Sequence, residues 1–417
     1  MEKKYFPINT ATACKLKWNW STLYLNTGTT RSCHRTAETE LTPENFQEFH
    51  NTALKISDRE NMLNGQWPTT SCKYCKNIED AGGHSDRMLH LKIPGAYPKE
   101  LDVDPQATHV SPTILEVYFD NACNLGCLYC DESLSSSIAE ENRKFGAFES
   151  SGIQLLPLKE KNYKSLVPFF WDWFIKHGNS LERLHLLGGE SFYQKELDKL
   201  LDTIESTPIP NCEFNIVTNL MYPLERLQKY LDRIKSMVAN RKIKRFDLTV
   251  SIDCWGPQQE YVRWGLDLEQ FTKNFEYLIQ QKWITININQ TISVLTLKTM
   301  PDLIVKLNEW RKVHPIGHYM SEVAPQPSYM KLSIFGLIEF KEDFEKIQSM
   351  MHNSNEHDQT AKSYMQGIFQ TCTENNDPTE IKKLLTFLNE KDRRRNTNWR
   401  ELFPWIIKYE DLCGIQK

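Results

Sequence analysis

The sequence predicts an α/β protein in which six strand-helix units build a parallel sheet, with a small cysteine-bearing unit before them and charged helices after. Three observations lead there. From residue 113 onward, short runs rich in β-branched and aromatic residues alternate with amphipathic stretches of helical length, the pattern of parallel strands joined by right-handed crossovers. The 417 residues, 40% of them hydrophobic, can bury one large core and support an accessory unit. The unusual residue clusters fall at the carboxyl ends of the predicted strands, where such folds place their chemistry.

The elements follow in order. Residues 1–95 carry Cys, Trp, Gly and Thr with little helical period before about residue 43, and read as a small domain. Residues 96–112 lie in a proline-containing stretch and read as a linker. The core spans 113–337. Its first strand is "TILEVYF" (113–119), followed directly by "NACNLGCLYCDES". "NYKSLVPFFWDWFIKHG" predicts a helix started or kinked at Pro168 and stopped at Gly178. Then come the strand "LERLHLLG", a helix near 193–206, the strand "EFNIVTN", a helix near 223–238 and the strand "RFDLTVSID". A helix near 268–281, the strand "ITININQTISV", a helix near 300–313 and a last strand around 328–336 complete the series. Residues 338–417 form a helical extension with "FKEDFEKIQSMMHNS" and "PTEIKKLLTFLNEKDRRRNTNW".

A formal charge of −4 and pI near 6.3 do not suggest a polyanion-binding surface, so nucleic acid is not an expected partner. "MEKKYFPINT" lacks an apolar core of the secretory kind, and a cytoplasmic protein is expected. "SLVPFFWDWFI" is too short to cross a bilayer and contains Asp172; no membrane partner is expected, and its aromatics recur at helical spacing as core residues do. Eleven cysteines without an export signal point to metal or cluster ligation rather than disulfides. Seven form two groups, Cys123/Cys127/Cys130 and Cys14/Cys33/Cys72/Cys75; the isolated Cys212, Cys254, Cys372 and Cys413 read as buried structural residues.

A C-x3-C-x2-C loop can turn three soft sulfurs toward one point, with Gly126 giving the backbone freedom to curl. A closed structural zinc site needs four ligands, whereas three cysteines on a [4Fe-4S] cluster leave one iron open. This loop after the first strand of a β/α series, with Tyr129 directly before the last cysteine, resembles the radical S-adenosylmethionine superfamily. "HLLGGES", "IVTNL" and "VSIDCWGPQQEYVRWG" resemble that superfamily's next strand-end motifs, in order. The resemblance implies a partial (β/α)6 TIM-like barrel and a [4Fe-4S] cluster on Cys123, Cys127 and Cys130. It implies that S-adenosylmethionine is cleaved reductively to a 5′-deoxyadenosyl radical, which takes hydrogen from a substrate. Gly188, Gly189 and Glu190 would receive the methionine moiety, with Thr218 and Asn219 facing the cofactor. Ser251 and Arg263 would hold its ribose or carboxylate, with Asp253 on the same face, and Asn289 would make fifth-strand contacts. Tyr129 reads as a neighbour of the adenine or as ordinary packing.

"CKLKWNW…GTTRSC…CKYC" resembles the twitch module, a shortened relative of the SPASM domain, with Gly28 at a hairpin turn and Cys33 on the return strand. The departure is that the module precedes the barrel here. Cys14, Cys33, Cys72 and Cys75 would hold a second, auxiliary [4Fe-4S] cluster; a structural zinc site is the alternative. The resemblance suggests a peptide or protein side chain as substrate and an electron donor such as flavodoxin or ferredoxin. A sugar, nucleotide or other small molecule is the alternative substrate, and a non-catalytic metal-binding interaction protein the alternative class. His84 and the arginines of "DRRRN" read as solvated residues.

Overall fold

The computed structural model describes residues 12–33, 36–80, 85, 87–88, 107–146, 160–323, 327–352, 355–372 and 374–412. The expectations for His84, Cys413 and most of the linker fall outside them. Among the described residues nine strands form one sheet. Six of these are parallel neighbours in strict chain order: β4 (Ile114–Tyr118), β6 (Arg183–Leu187), β7 (Ile209–Thr218), β8 (Ile243–Ser251), β10 (Thr285–Ile292) and β11 (Ile316–Glu322).

Sequential order means that each crossover runs the same way, so right-handed connections put the helices on one face. The residues agree. Leu184, Leu186, Phe214, Ile216, Leu248, Val250, Ile286 and Ile288 alternate along their strands and pack in one buried cluster with helix residues such as Leu200, Leu227, Phe275 and Leu307. The intervening residues face the other side and are polar. Register sets Asn215 beside Asp247 and Thr249 beside Asn287, and Asn215 Nδ2 donates to Thr249 Oγ1 at 2.9 Å.

The helix expected at 162–178 spans Glu160–His177 and runs through Pro168 rather than starting there. The helices Glu196–Ser206, Leu224–Ala239, Leu268–Ile279 and Met300–Arg311 lie where their apolar period puts them. The sixth strand does not lie at 328–336. That segment forms two short 3-10 turns, Ser328–Met330 and Leu332–Phe335, whose Tyr329, Met330, Leu332, Ile334 and Phe335 are buried against the carboxyl-terminal helices. The strand is Ile316–Glu322, whose "IGHYMSE" is buried over Ile316, Gly317 and His318 and more open from Tyr319 on.

The amino-terminal hairpin joins the same sheet. β1 (Trp20–Tyr24) pairs in parallel with β4, and β2 (Thr29–Arg31) and β3 (Thr39–Glu40) follow antiparallel at the edge. Gly28, at φ +70°, makes the turn between β1 and β2, a left-handed conformation that glycine adopts without strain. In the carboxyl-terminal extension, helices Leu337–Met350, Glu356–Thr371 and Pro378–Arg395 enclose a second core around Phe344, Met365, Leu384 and Trp399. No helix among the described residues is long and apolar enough to cross a membrane.

Candidate functional site

The cysteine loop starts where β4 ends. Asp120 Oδ1 accepts from Ala122 N at 2.7 Å, and Cys123 N donates to Ser136 Oγ at 3.0 Å. The chain then forms a two-residue strand, β5 (Gly126–Cys127), antiparallel to β9 (Arg263–Trp264), which sets Gly126 opposite Trp264 and Cys127 opposite Arg263. Gly126 is thus not where the loop curls. A Cβ there would meet Arg395 Nη2 and Trp264 Cε3, each at 3.0 Å, so close packing rather than backbone freedom requires the glycine.

The sulfurs sit among N–H groups. Leu125 N donates to Cys123 Sγ at 3.5 Å, Asn219 Nδ2 lies 4.0 Å from it, and Arg263 Nη1 lies 3.9 Å from Cys127 Sγ. Burial pushes the Cys123 thiol up to about 12, and raises Cys127 and Cys130 as well. Without metal these groups are neutral thiols near pH 7, so loading a metal there releases protons.

Two glycines dock the second motif on this loop. Gly188 and Gly189 have φ +90° and +50°. A Cβ on Gly189 would lie 2.1 Å from Ala122 O, and one on Gly188 2.7 Å from Tyr118 Cδ1. Close approach lets Glu190 N donate to Ala122 O at 2.7 Å. The Glu190 carboxylate is fully buried and accepts from Asn219 N at 2.6 Å, Thr218 Oγ1 at 2.7 Å and Phe192 N at 3.2 Å. Burial outweighs those bonds and raises its pKa to about 7. Glu190 therefore ties the second and third strand ends together. Asn219 carries the link onward: its Nδ2 donates to Asn124 Oδ1 at 2.9 Å, and Asn124 Nδ2 donates to Met221 O at 2.8 Å.

Asp253 is also fully buried. Arg263 donates to it through Nε and Nη2 at 2.8 and 2.9 Å, Tyr129 through its hydroxyl at 2.7 Å, and Thr291 through its backbone N at 2.9 Å. The paired geometry of the Arg263–Asp253 contact matches a guanidinium fork on a carboxylate. It leaves Nη1 of Arg263 toward Cys127. The Tyr129 ring lies 5.6 Å from the guanidinium carbon. Ser251 and Asn289 are in register across β8 and β10, on the polar face at the same strand ends. Tyr129, Gly188, Gly189, Glu190, Thr218, Asn219, Asp253 and Arg263 are thus linked to the cysteine loop through these contacts, whereas Ser251 and Asn289 meet each other at neighbouring strand ends.

The other four cysteines also converge. Cys14, Cys33 and Cys72 lie within electrostatic reach of one another, and Cys75 of Cys72. Cys72 immediately precedes the helix Lys73–Asp80, and Cys75 lies in its first turn. Lys17 is buried beside them, facing Cys72 and Cys33 and paired with Asp58. Burial drives Cys14 and Cys72 up, the latter to about 12.

Among the described residues, no group of three or more His, Cys, Asp or Glu side chains is already arranged to hold a metal ion. Donors aimed at sulfur, as at Cys123 and Cys127, suit a thiolate-held cluster.

Sequence reasoning missed Asn124, Glu141, Gln290 and Arg395. Gln290 donates to Asp253 O through Nε2 and holds His318 Nε2 at 2.8 Å through Oε1. The arginine run is a correction. Arg393 is 58% exposed, as a solvated helix end requires, but Arg394 and Arg395 are 3% exposed, because the last helical turn packs on helix Ser136–Phe145. The only signal was the run itself.

No family model matches the sequence, and no curated protein does. Two solved structures of Streptococcus suis SuiB align with the chain at 13% identity. The first covers 78% of this chain and 66% of that one, at a TM-score of 0.37, so the chain spans just under two thirds of its length. The second, SuiB bound to precursor peptide SuiA, covers 93% and 71%, at 0.33. Likeness of this degree says nothing about activity.

Proposed function

We propose that this chain is a radical S-adenosylmethionine enzyme whose strand ends form the mouth of a partial (β/α)6 barrel. The observation that carries the reading is the interlock of the four motifs. Glycines at 188 and 189 let the second strand end nest on the cysteine loop, Glu190 binds the third, and the Asp253–Arg263 pair brings the fourth against Cys127. Strict sequential strand order and a polar inner face support the barrel.

Cys123, Cys127 and Cys130 would hold a [4Fe-4S] cluster, which when bound supplies the electron that cleaves S-adenosylmethionine to a 5′-deoxyadenosyl radical. Leu125 N and Arg263 Nη1 donate toward the sulfurs and stabilise their charged form. Asp253 fixes the guanidinium so that Nη1 stays aimed at Cys127. Gly188, Thr218, Ser251 and Asn289 line the strand ends beside the loop and receive the nucleoside and methionine parts. Cys14, Cys33, Cys72 and Cys75 would hold an auxiliary cluster in a twitch-like module. The substrate of this reading is a peptide or protein side chain, and a small reduced electron carrier such as flavodoxin or ferredoxin serves it in the cytoplasm.

Anaerobically reconstituted protein, given dithionite and S-adenosylmethionine, should release 5′-deoxyadenosine. Protein loaded with its clusters that releases none contradicts the proposal.

A further inference from the structure

The last turn of helix Pro378–Arg395 brings three cations to one carboxylate. Lys391 Nζ, Arg394 Nη1 at 3.6 Å and Arg395 Nε at 2.7 Å all face Glu141. All four side chains are buried. Arg394 also reaches Glu390, but that carboxylate is shared with Arg393 on the surface. Positive charge is therefore in excess here. Moreover, Nη1 and Nη2 of Arg395 are enclosed and have no hydrogen-bond partner among the described residues. A buried guanidinium with unmet N–H groups and incomplete charge compensation is costly unless more negative charge lies close by.

The location of Arg395 points to the source of that charge. Its guanidinium stacks 4.8 Å from the Trp264 ring, with Nη2 against Gly126 in the space a side chain there would fill. Gly126 and Trp264 form one pair of the β5–β9 ribbon, and Cys127 and Arg263 form the next. Neighbouring strand residues face opposite sides. Arg395 thus backs the ribbon on one face while Cys127 and Arg263 occupy the other.

We propose that Arg395 is a positioning residue for the cysteine-loop site: the carboxyl-terminal extension delivers it behind the ribbon, where its charge stabilises the thiolates and favours the reduced state of what they bind. This rests on the cluster reading above. Reduction adds one electron, supplied by dithionite through viologen mediators, and makes the site more negative by one charge. A fixed cation behind the ribbon favours that state, so its removal lowers the midpoint potential.

The test compares Arg395→Met, Arg395→Lys and Glu141→Gln in full-length reconstituted protein, by mediated redox titration with iron content measured in parallel. Coulombic interaction across the ribbon at an effective dielectric of about 20 should make Arg395→Met about tenfold harder to reduce, or about 59 mV more negative. Arg395→Lys should stay near wild type, and Glu141→Gln, which removes the opposing charge, should shift the potential upward. Damage to packing would move Met and Gln variants the same way; opposite signs belong to charge alone. An unchanged potential in Arg395→Met, a lysine variant shifted as far as the methionine one, or equal signs for Met and Gln overturns the inference. If Arg395→Met does not fold, the other two decide it: an unshifted Arg395→Lys with Glu141→Gln shifted upward supports the inference, and a Glu141→Gln potential that is unchanged or lowered overturns it. Wild-type protein that takes up no iron overturns the cluster reading, whereas loaded variants of unchanged potential overturn only this inference.

Discussion

Replacing Gly189 with alanine should damage the docking of the second strand end on the cysteine loop, and its cost can be worked out. The added Cβ would lie 2.1 Å from Ala122 O, 2.8 Å from Ala122 C and 2.9 Å from Asn121 C. All three are backbone atoms, so no side chain can swing away. The left-handed φ of +50° adds about 1–2 kcal/mol of strain for a residue with a Cβ. Relieving the clash costs about 1–3 kcal/mol, and the Glu190 N to Ala122 O bond is worth about 1 kcal/mol. Together these come to about 3–6 kcal/mol, a large part of a domain's usual stability of about 5–15 kcal/mol. Gly65 is the control, since it has φ +71° but nothing within 4 Å of its Cβ position. Gly65→Ala should cost about 1 kcal/mol by strain alone. Urea unfolding followed by tryptophan fluorescence measures both. If Gly189→Ala is no less stable than Gly65→Ala, the tight docking of the two motifs is not there.

Other outcomes follow from the same geometry. Asp253→Asn leaves the buried Arg263 charge without its carboxylate and should cost about 3–5 kcal/mol, whereas Asp253→Leu combined with Arg263→Met should cost less than either single change; chemical denaturation separates these. Glu190 has a folded pKa raised to about 7 from 4.5, so ionising it disfavours the folded state. Stability should fall as pH rises from about 5 to about 7, by about 3 kcal/mol, and then level off. Glu190→Gln should lack that slope in unfolding free energies measured across pH 5–8, and an unchanged slope would remove Glu190 as its source. Lys17→Met should weaken metal retention by the amino-terminal cysteines, because it removes the cation beside Cys72 and Cys33; iron content after dialysis against a chelator reports it.

Much of the fold was legible because its signals are local. Apolar period alone located the helices Glu196–Ser206 and Leu224–Ala239, leucine alternation located β6, and runs with β-branched residues located β8 and β10. The sixth strand was misplaced because "SYMKLSIF" is more apolar than "IGHYMSE", yet it is buried against helices rather than in the sheet. Pairing of β1 with β4 joins residues more than ninety positions apart, and nothing local in either segment encodes it. The site divides in the same way. Cysteines, glycines and the Thr218–Asn219 pair announce themselves by spacing. The partners of Arg263 and Glu190 do not: each was expected to face a cofactor, and each spends its polar atoms on this chain's own groups. Arg395 reaches Glu141 across 254 positions, beyond any local pattern.

The most direct test of the central claim is a metal count resolved by cysteine group. Anaerobic reconstitution should give about eight irons per wild-type chain, about four when Cys123, Cys127 and Cys130 are replaced by alanine, and about four when Cys14, Cys33, Cys72 and Cys75 are. Wild-type protein that instead holds zinc, or iron content unaffected by losing the three loop cysteines, contradicts the account.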